Sequence, residues 1–259
     1  MHSSKRMNIL TFNPEDWYNG NISPKDTNWE RFEYRVDKMV LPILDFLDQK
    51  KVKATFFCMG WLADNHPELV REIANRGHQI GCNSYMHAEP NTLTKEQFYD
   101  DVKRSREILE KVSGKSVEAY RAPSFATLGI EEWYFDVLKD LGFKYDCSIY
   151  GAKPTVINGI KEFPVCKYKG KIPYSGGGYF RLMPYRLIKS LMRNNDYVMT
   201  YFHPRDFDKE QPRWEGLSTK DRFLSYAGLD GAYDKWMKMM NDFEFVNVEE
   251  ADKLIDWNK

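Results

Sequence analysis

The sequence predicts an α/β protein whose parallel sheet closes into a barrel, and three observations carry that prediction. Short apolar runs alternate with helical segments about six or seven times along the chain. The runs are apolar at successive positions, as strands covered by helices on both faces must be. The first strand-to-helix turn, Thr11-Phe12-Asn13-Pro14-Glu15-Asp16, contains no glycine, so the phosphate-binding turn wanted by an open doubly wound sheet is missing. Right-handed crossovers at that number of repeats close most easily into a ring. No internal repeat, low-complexity tract or Gly/Ser linker interrupts the 259 residues. The chain therefore reads as one domain, with a core over about 7–257 and an insertion at 206–229.

The elements follow in order. Residues 8–12 (NILTF) form a short apolar run, and 32–49 carry helical periodicity through Met39, Leu41, Ile43, Leu44 and Leu47. Residues 54–58 (ATFFC) read as a buried strand, 67–75 as a helix and 79–82 as a strand. Thr94 followed by Gln97 is a capping box that opens a helix running to about Val112. The alternation continues with strands at 119–122 and 145–148 around a helix at 130–141. A helix at 185–193, a strand at 197–202 (YVMTYF), a helix at 231–240, a strand at 243–246 and a last helix ending at Trp257 complete the series.

Composition narrows the partners. Lys plus Arg number 38 and Asp plus Glu number 38, so zero net charge gives no general attraction to nucleic acid or an anionic membrane. Any bound polymer is expected to be neutral. Aromatic residues make up 15% of the chain; their flat faces suit sugar rings, although most are expected in the core. Cys58, Cys82, Cys147 and Cys166 show no CxxC spacing and are expected as reduced, buried thiols. No apolar run of signal-peptide or membrane-span form is present, which predicts a soluble, cytoplasmic protein without membrane insertion.

A barrel of parallel strands presents its chemistry at the carboxyl ends of the strands. Just past the predicted strands lie Asn13/Glu15/Asp16, Asn83/Ser84/His87, Arg121/Pro123/Ser124, Asp146/Ser148 and His203/Pro204. Each alone reads as a cap or a surface ion pair. Their joint position is harder to assign to chance.

On these residues the chain resembles the polysaccharide deacetylases. The resemblance runs from about residue 9 to 248 and is carried by LTFNPEDWY (10–18), KATFFCMGWLADNHPELVREIANRGHQIGCNSYMH (53–87), YRAPSF (120–125), YDCSIY (145–150), EFPV (162–165), GGGYFRLMPY (176–185) and YFHP (201–204). It implies a distorted (β/α)7 barrel that hydrolyses the N-acetyl group of an amino sugar in a glycan. The GGGYFR segment points to the branch linked with exopolysaccharide or lipopolysaccharide. In this family a divalent metal, most often zinc, polarises the acetyl carbonyl and its bound water, an Asp is the general base, and a His protonates the leaving amine. An amide is a poor electrophile with a poor leaving group, so both ends need help.

Carried across by position, Glu15 resembles the metal carboxylate with Asp16 as the other candidate, and His87 resembles the second metal histidine. Asn13 holds the base position, Arg121 would steady it, Asp146 would set the protonation of His203, and His203 would be the general acid. Trp17, Pro123, Ser124, Phe125 and Tyr179 are the expected substrate-binding positions. Gly176 to Gly178 read as a backbone turn beside the groove, since no Gly-Lys-Ser/Thr follows them.

Two positions depart from the family. The base is Asn13 instead of Asp, and the first metal histidine is Asn83. An amide has no basic lone pair at neutral pH, so Asn13 can hydrogen-bond but cannot take a proton from water. Asn83 offers at best a carbonyl oxygen, which suits Mg²⁺ or Ca²⁺ better than Zn²⁺, so metal binding is expected to be weakened or absent. The sequence leaves three readings open: a glycan-binding pseudoenzyme, an enzyme with altered and attenuated chemistry, or an inactivated form of a deacetylase.

Overall fold

The computed structural model describes residues 6–19, 28–214 and 216–257. β1 (Met7–Ile9) and β2 (Thr11–Phe12) are separated by Leu10 and lie in different sheets. α1 (Val36–Lys50) buries Val36, Val40, Ile43, Leu44 and Leu47 along one stripe and stops at Lys51, whose φ of 55° is left-handed. It starts at Val36, later than the periodicity predicts, where the Asp16 carboxylate accepts from the Arg35 and Val36 backbone N–H groups.

β3 (Thr55–Cys58) leads into α2 (Gly60–Asn65) and α3 (Pro67–Asn75), and β4 (Gln79–Cys82) leads to α4 (Lys95–Ser113). The Thr94/Gln97 capping box forms as the sequence predicts. β5 (Ala119–Tyr120), α5 (Glu131–Asp140) and β6 (Tyr145–Asp146) follow. Next comes a hairpin absent from the sequence-based series, β7 (Thr155–Ile157) and β8 (Ile160–Glu162), joined by Asn158-Gly159 with φ of 50° and 86°. α6 (Gly177–Leu182), α7 (Tyr185–Arg193), β9 (Tyr197–Met199), α8 (Thr219–Tyr226), α9 (Ala232–Asp242) and α10 (Val248–Leu254) complete the order. The strand expected at 243–246 reduces to a parallel bridge between Val246 and Ile9.

Seven strands pair in the order β2-β3-β4-β5-β6-β8-β7, parallel throughout except β7 on β8. β9 pairs with β1 in register Met7 to Tyr197. Parallel bridges from Phe12 to Phe202 and from Gly176 to Tyr201 draw the last strand toward the first. On the remaining side the link is made by side chains: the Tyr197 hydroxyl donates to the Pro164 carbonyl at 2.9 Å. The result is a distorted α/β barrel, with a core of Phe12, Phe56, Phe57, Tyr120, Phe163, Phe202 and Trp236, all at most 1% exposed. All four cysteines are free and buried. Among the described residues no helix is long and apolar enough to cross a membrane.

Candidate active site

The segments after β2, β4, β5 and β9 converge on one cleft of about 360 Å³, lined by Asn13, Glu15, His87, Arg121, Ser124, Phe125, Arg181, His203 and Arg205 among others. Its far wall comes from the 206–229 segment through Gln211, Leu217, Asp221, Leu224 and Ser225. Ser84, His87, Ser124 and Phe125 all hold positive φ, between 55° and 64°. Such backbone costs on the order of 1 kcal/mol or more per residue and persists where the surroundings fix it, commonly at ligand sites.

Glu15 is the centre of the cluster and only 2% exposed. Its Oε1 lies 3.2 Å from His87 Nε2, 3.7 Å from His203 Nε2 and 3.4 Å from Asn83 Nδ2, and its Oε2 lies 3.6 Å from Arg205 Nη2. Burial alone would raise the Glu15 pKa, but His203, His87 and Arg205 outweigh it and hold the carboxyl well below the ordinary carboxylate range.

Asn13 is committed at both ends of its amide. Its Oδ1 accepts from Arg121 Nη1 at 2.9 Å, and its Nδ2 donates to Glu15 Oε1 at 3.2 Å. Arg121 is 1% exposed, donates also to Thr11 Oγ1 at 2.8 Å and to the Cys147 carbonyl at 3.2 Å, and lies over the Phe57 ring at 4.2 Å.

Several expected positions fall elsewhere. The Asp16 carboxylate turns away from the cleft, accepting from the backbone N–H groups of Trp17 (2.8 Å), Arg35 (2.6 Å) and Val36 (2.9 Å). It satisfies orphan donors at the start of α1. Asp146 does not reach His203. It accepts from Ser148 (2.6 Å) and Tyr134 (3.0 Å) and packs against Glu162, where burial raises the pKa of both carboxyls. Nor does Arg121 pair with it directly. Trp17 is buried, donates its indole N–H to the Glu33 carbonyl at 3.0 Å and packs on Phe32 and Trp214, outside the cleft wall. Pro123 is buried behind Ser124 and Phe125, and Tyr179 is 41% exposed on α6, with Gly177 and Gly178 lining the cleft instead.

The carboxylate that meets His203 Nδ1 is Asp206, which is not among the site residues expected from the sequence. His203 Nδ1 and Asp206 Oδ2 are 3.1 Å apart, and the His203 backbone N–H donates to the same oxygen at 3.2 Å. Arg181 pairs with Asp206 at 3.1 Å. Burial would raise the Asp206 pKa, yet the His203 hydrogen bond and the nearby charges of His203, Arg181 and Arg205 lower it to about 2. The signal available in the sequence was a carboxylate three residues after His203, the spacing of a capping box.

The donors at the metal position fall short of a zinc site. Glu15 and His87 come together, but the third corner is Asn83, whose Oδ1 is buried with no hydrogen-bond partner. Among the described residues no group of three or more His, Cys, Asp and Glu side chains can hold a metal ion. A guanidinium, Arg205, already faces the carboxylate.

The family profile for polysaccharide deacetylase matches residues 23–145. Over those residues the chain belongs to the polysaccharide deacetylase family. A second profile, a domain of unknown function termed DUF3473, matches residues 148–253. The peptidoglycan-N-acetylmuramic acid deacetylase PdaA of Bacillus subtilis is 28% identical over 60% of this chain and 66% of its own length. The peptidoglycan deacetylase of Helicobacter pylori is 29% identical over 51% of this chain and 43% of its own length. The chain thus spans less than two-thirds of these relatives.

Among solved structures, a protein from Mycobacterium smegmatis described as a polysaccharide deacetylase gives a TM-score of 0.69 at 19% identity, covering 98% of this chain and 91% of its own. A CE4 family pseudoenzyme from Bacillus anthracis gives 0.56 at 16% identity, over 99% and 67%. A mutant of that pseudoenzyme with restored enzymatic activity gives 0.57 at 16% identity, over 99% and 70%. These likenesses establish the deacetylase fold.

Proposed function

We propose that this chain binds an N-acetylated amino sugar of a glycan in the cleft around Glu15, and that it hydrolyses the acetamido group only feebly because amides occupy two of the reacting positions. The observation that carries the reading is Asn13. Its carbonyl oxygen accepts from Arg121 and its amino group donates to Glu15, and an amide held in this way has no basicity with which to take a proton from water. General-base assistance is worth about 10² to 10⁴ in rate, and that factor is lost.

The second deficit is the metal. The cation of the family polarises the acetyl carbonyl and activates water when bound. Here Glu15, His87 and the Asn83 carbonyl oxygen are the groups that would hold it, and the missing imidazole weakens any zinc. What remains intact is recognition and the acid side. Asp206 orients His203 so that Nε2 faces the cleft, where it would serve a departing amine. Ser124 and Phe125 form the near wall, and the 206–229 segment, read as an insertion within a single domain spanning 1–259, forms the far one. The substrate class is taken from the relatives, which are named for peptidoglycan and chitin deacetylation. The GGGYFR segment favours an exopolysaccharide or lipopolysaccharide type of glycan.

The test is calorimetric titration with an N-acetylated oligosaccharide and its de-N-acetylated counterpart, with acetate release followed in parallel. The reading expects preferential binding of the acetylated sugar with little acetate. Rapid acetate release by the unaltered chain, or equal binding of the two sugars, would contradict it.

A further inference from the structure

We propose that Arg205 takes the place of the family's metal ion: its guanidinium is the counter-charge of Glu15, and its unused N–H donors are what the cleft presents to the acetamido oxygen of a bound sugar. The assignment of the sugar rests on the function proposed above, whereas the counter-charge does not.

Glu15 is the buried charge at the centre of the cleft. A carboxylate only 2% exposed is costly unless a positive group balances it. In the family plan two carboxylates, the base and the metal ligand, face a divalent cation, and the charges cancel. Asn13 removes one of those negative charges. A single carboxylate remains, and Arg205 gives it a fixed positive charge beside the His87 and His203 imidazoles. Arg205 Nη2 lies 3.6 Å from Oε2. The other oxygen is surrounded by Asn13 (3.2 Å), His87 (3.2 Å) and Asn83 (3.4 Å). Two of those three are N–H donors of amides, which point hydrogens at the carboxylate where a metal would need lone pairs.

Arg205 is also held where it can serve a ligand. It sits on the 3-10 turn Pro204–Phe207 beside His203, and its own carbonyl accepts from Gln211 Nε2 at 2.7 Å, which ties the turn to the far wall. Its side chain is 24% exposed and lines the cleft. Apart from Glu15, it makes no hydrogen bond or ion pair among the described residues. A guanidinium carries five N–H donors, so most stay available. A neutral acetamido oxygen is the matching acceptor, because the Glu15 and Arg205 charges already cancel and leave no excess to demand an anionic sugar.

The test is zinc titration of the unaltered chain, Asn83→His, Arg205→Gln, Arg205→Lys, Asn83→His/Arg205→Gln and Asn83→His/Arg205→Lys. Restoring the imidazole completes the ligands, but the guanidinium still opposes the ion. Removing it from the Asn83→His protein is expected to tighten zinc by about tenfold or more, and Arg205→Lys, which keeps the charge, is expected not to. Zinc affinity of Asn83→His that Arg205→Gln leaves unchanged would overturn the proposal. So would Arg205→Lys acting like Arg205→Gln, since packing and not charge would then be the cause. Denaturation gives a readout without metal: Arg205→Gln should lower the midpoint in the Glu15 protein and leave a Glu15→Gln protein nearly unmoved, and equal losses in both would contradict the pairing. For the ligand, Arg205→Gln should weaken the N-acetylated oligosaccharide by about tenfold. Unchanged affinity would refute the donor role. If no variant binds the sugar while the zinc and denaturation results hold, the glycan reading fails and the counter-charge stands.

Discussion

Asp206→Asn isolates the electrostatics that orient His203. The side chain is 6% exposed, accepts from the His203 backbone, meets His203 Nδ1 at 3.1 Å and pairs with Arg181 at 3.1 Å. These partners outweigh burial and depress the carboxyl from 3.8 to about 2. At about 1.4 kcal/mol per unit, the difference corresponds to about 2 kcal/mol of folding stability at neutral pH. The sign follows from the direction: the folded state holds this proton less tightly than the unfolded chain, so the contribution is present above about pH 4 and disappears as pH falls through about 2. Asparagine preserves the shape and removes the charge, and Arg181 keeps the Ala227 and Leu224 carbonyls as partners at 2.7 and 2.5 Å. Urea denaturation of both proteins from pH 7 down to pH 2.5 is the assay. The stability gap should stand near 2 kcal/mol at pH 7 and narrow steadily below pH 4. A gap of the same size at every pH would show that charge is not its source.

Three further outcomes are expected. Glu162→Gln separates the buried carboxyl pair; since both Asp146 and Glu162 are raised by burial, the unaltered protein should lose stability as pH rises above the carboxylate range, and the variant should show a flatter profile by denaturation. Gly176→Ala should unfold the chain or cost at least about 3 kcal/mol, because a Cβ there would lie 2.0 Å from the Tyr201 carbonyl oxygen at the bridge that brings α6 to the cleft; a variant of ordinary thermal midpoint would refute that close approach. Thr94→Ala removes the α4 cap and should cost about 1 kcal/mol with sugar binding intact, checked by denaturation and calorimetry.

Much of this arrangement was legible in the residues, and the misses have physical causes. The α7 span, the α4 cap and the alternation through β6 followed from periodicity and local hydrogen-bond chemistry, which are written at short range. The β7–β8 hairpin did not, because three-residue strands with exposed Thr155 and Val156 carry little apolar alternation, although Asn158-Gly159 marks the turn. At the cleft, Asn13, Glu15, Asn83, His87, Arg121 and His203 are brought together from strand ends far apart in sequence. Which carboxylate reaches His203 was not legible. Asp146 ends β6 and Asp206 lies beyond β9, and the pairing of β6 with β8, which sets Asp146 opposite Glu162, removes the first from the cleft. The charge balance behaves the same way: a zero net charge says nothing of where one Arg meets one Glu, and Arg205 becomes informative only at 3.6 Å from Glu15.

On the function proposed above, recognition survives in this cleft while two amides withhold the chemistry. Acetate release from an N-acetylated oligosaccharide at saturating zinc, compared between the unaltered chain and Asn13→Asp/Asn83→His, tests it most directly. Release by the double variant is expected to be at least about a hundredfold faster, the lower end of what a general base supplies. Equal rates in the two proteins, whether both fast or both absent despite zinc bound to the variant, would contradict it.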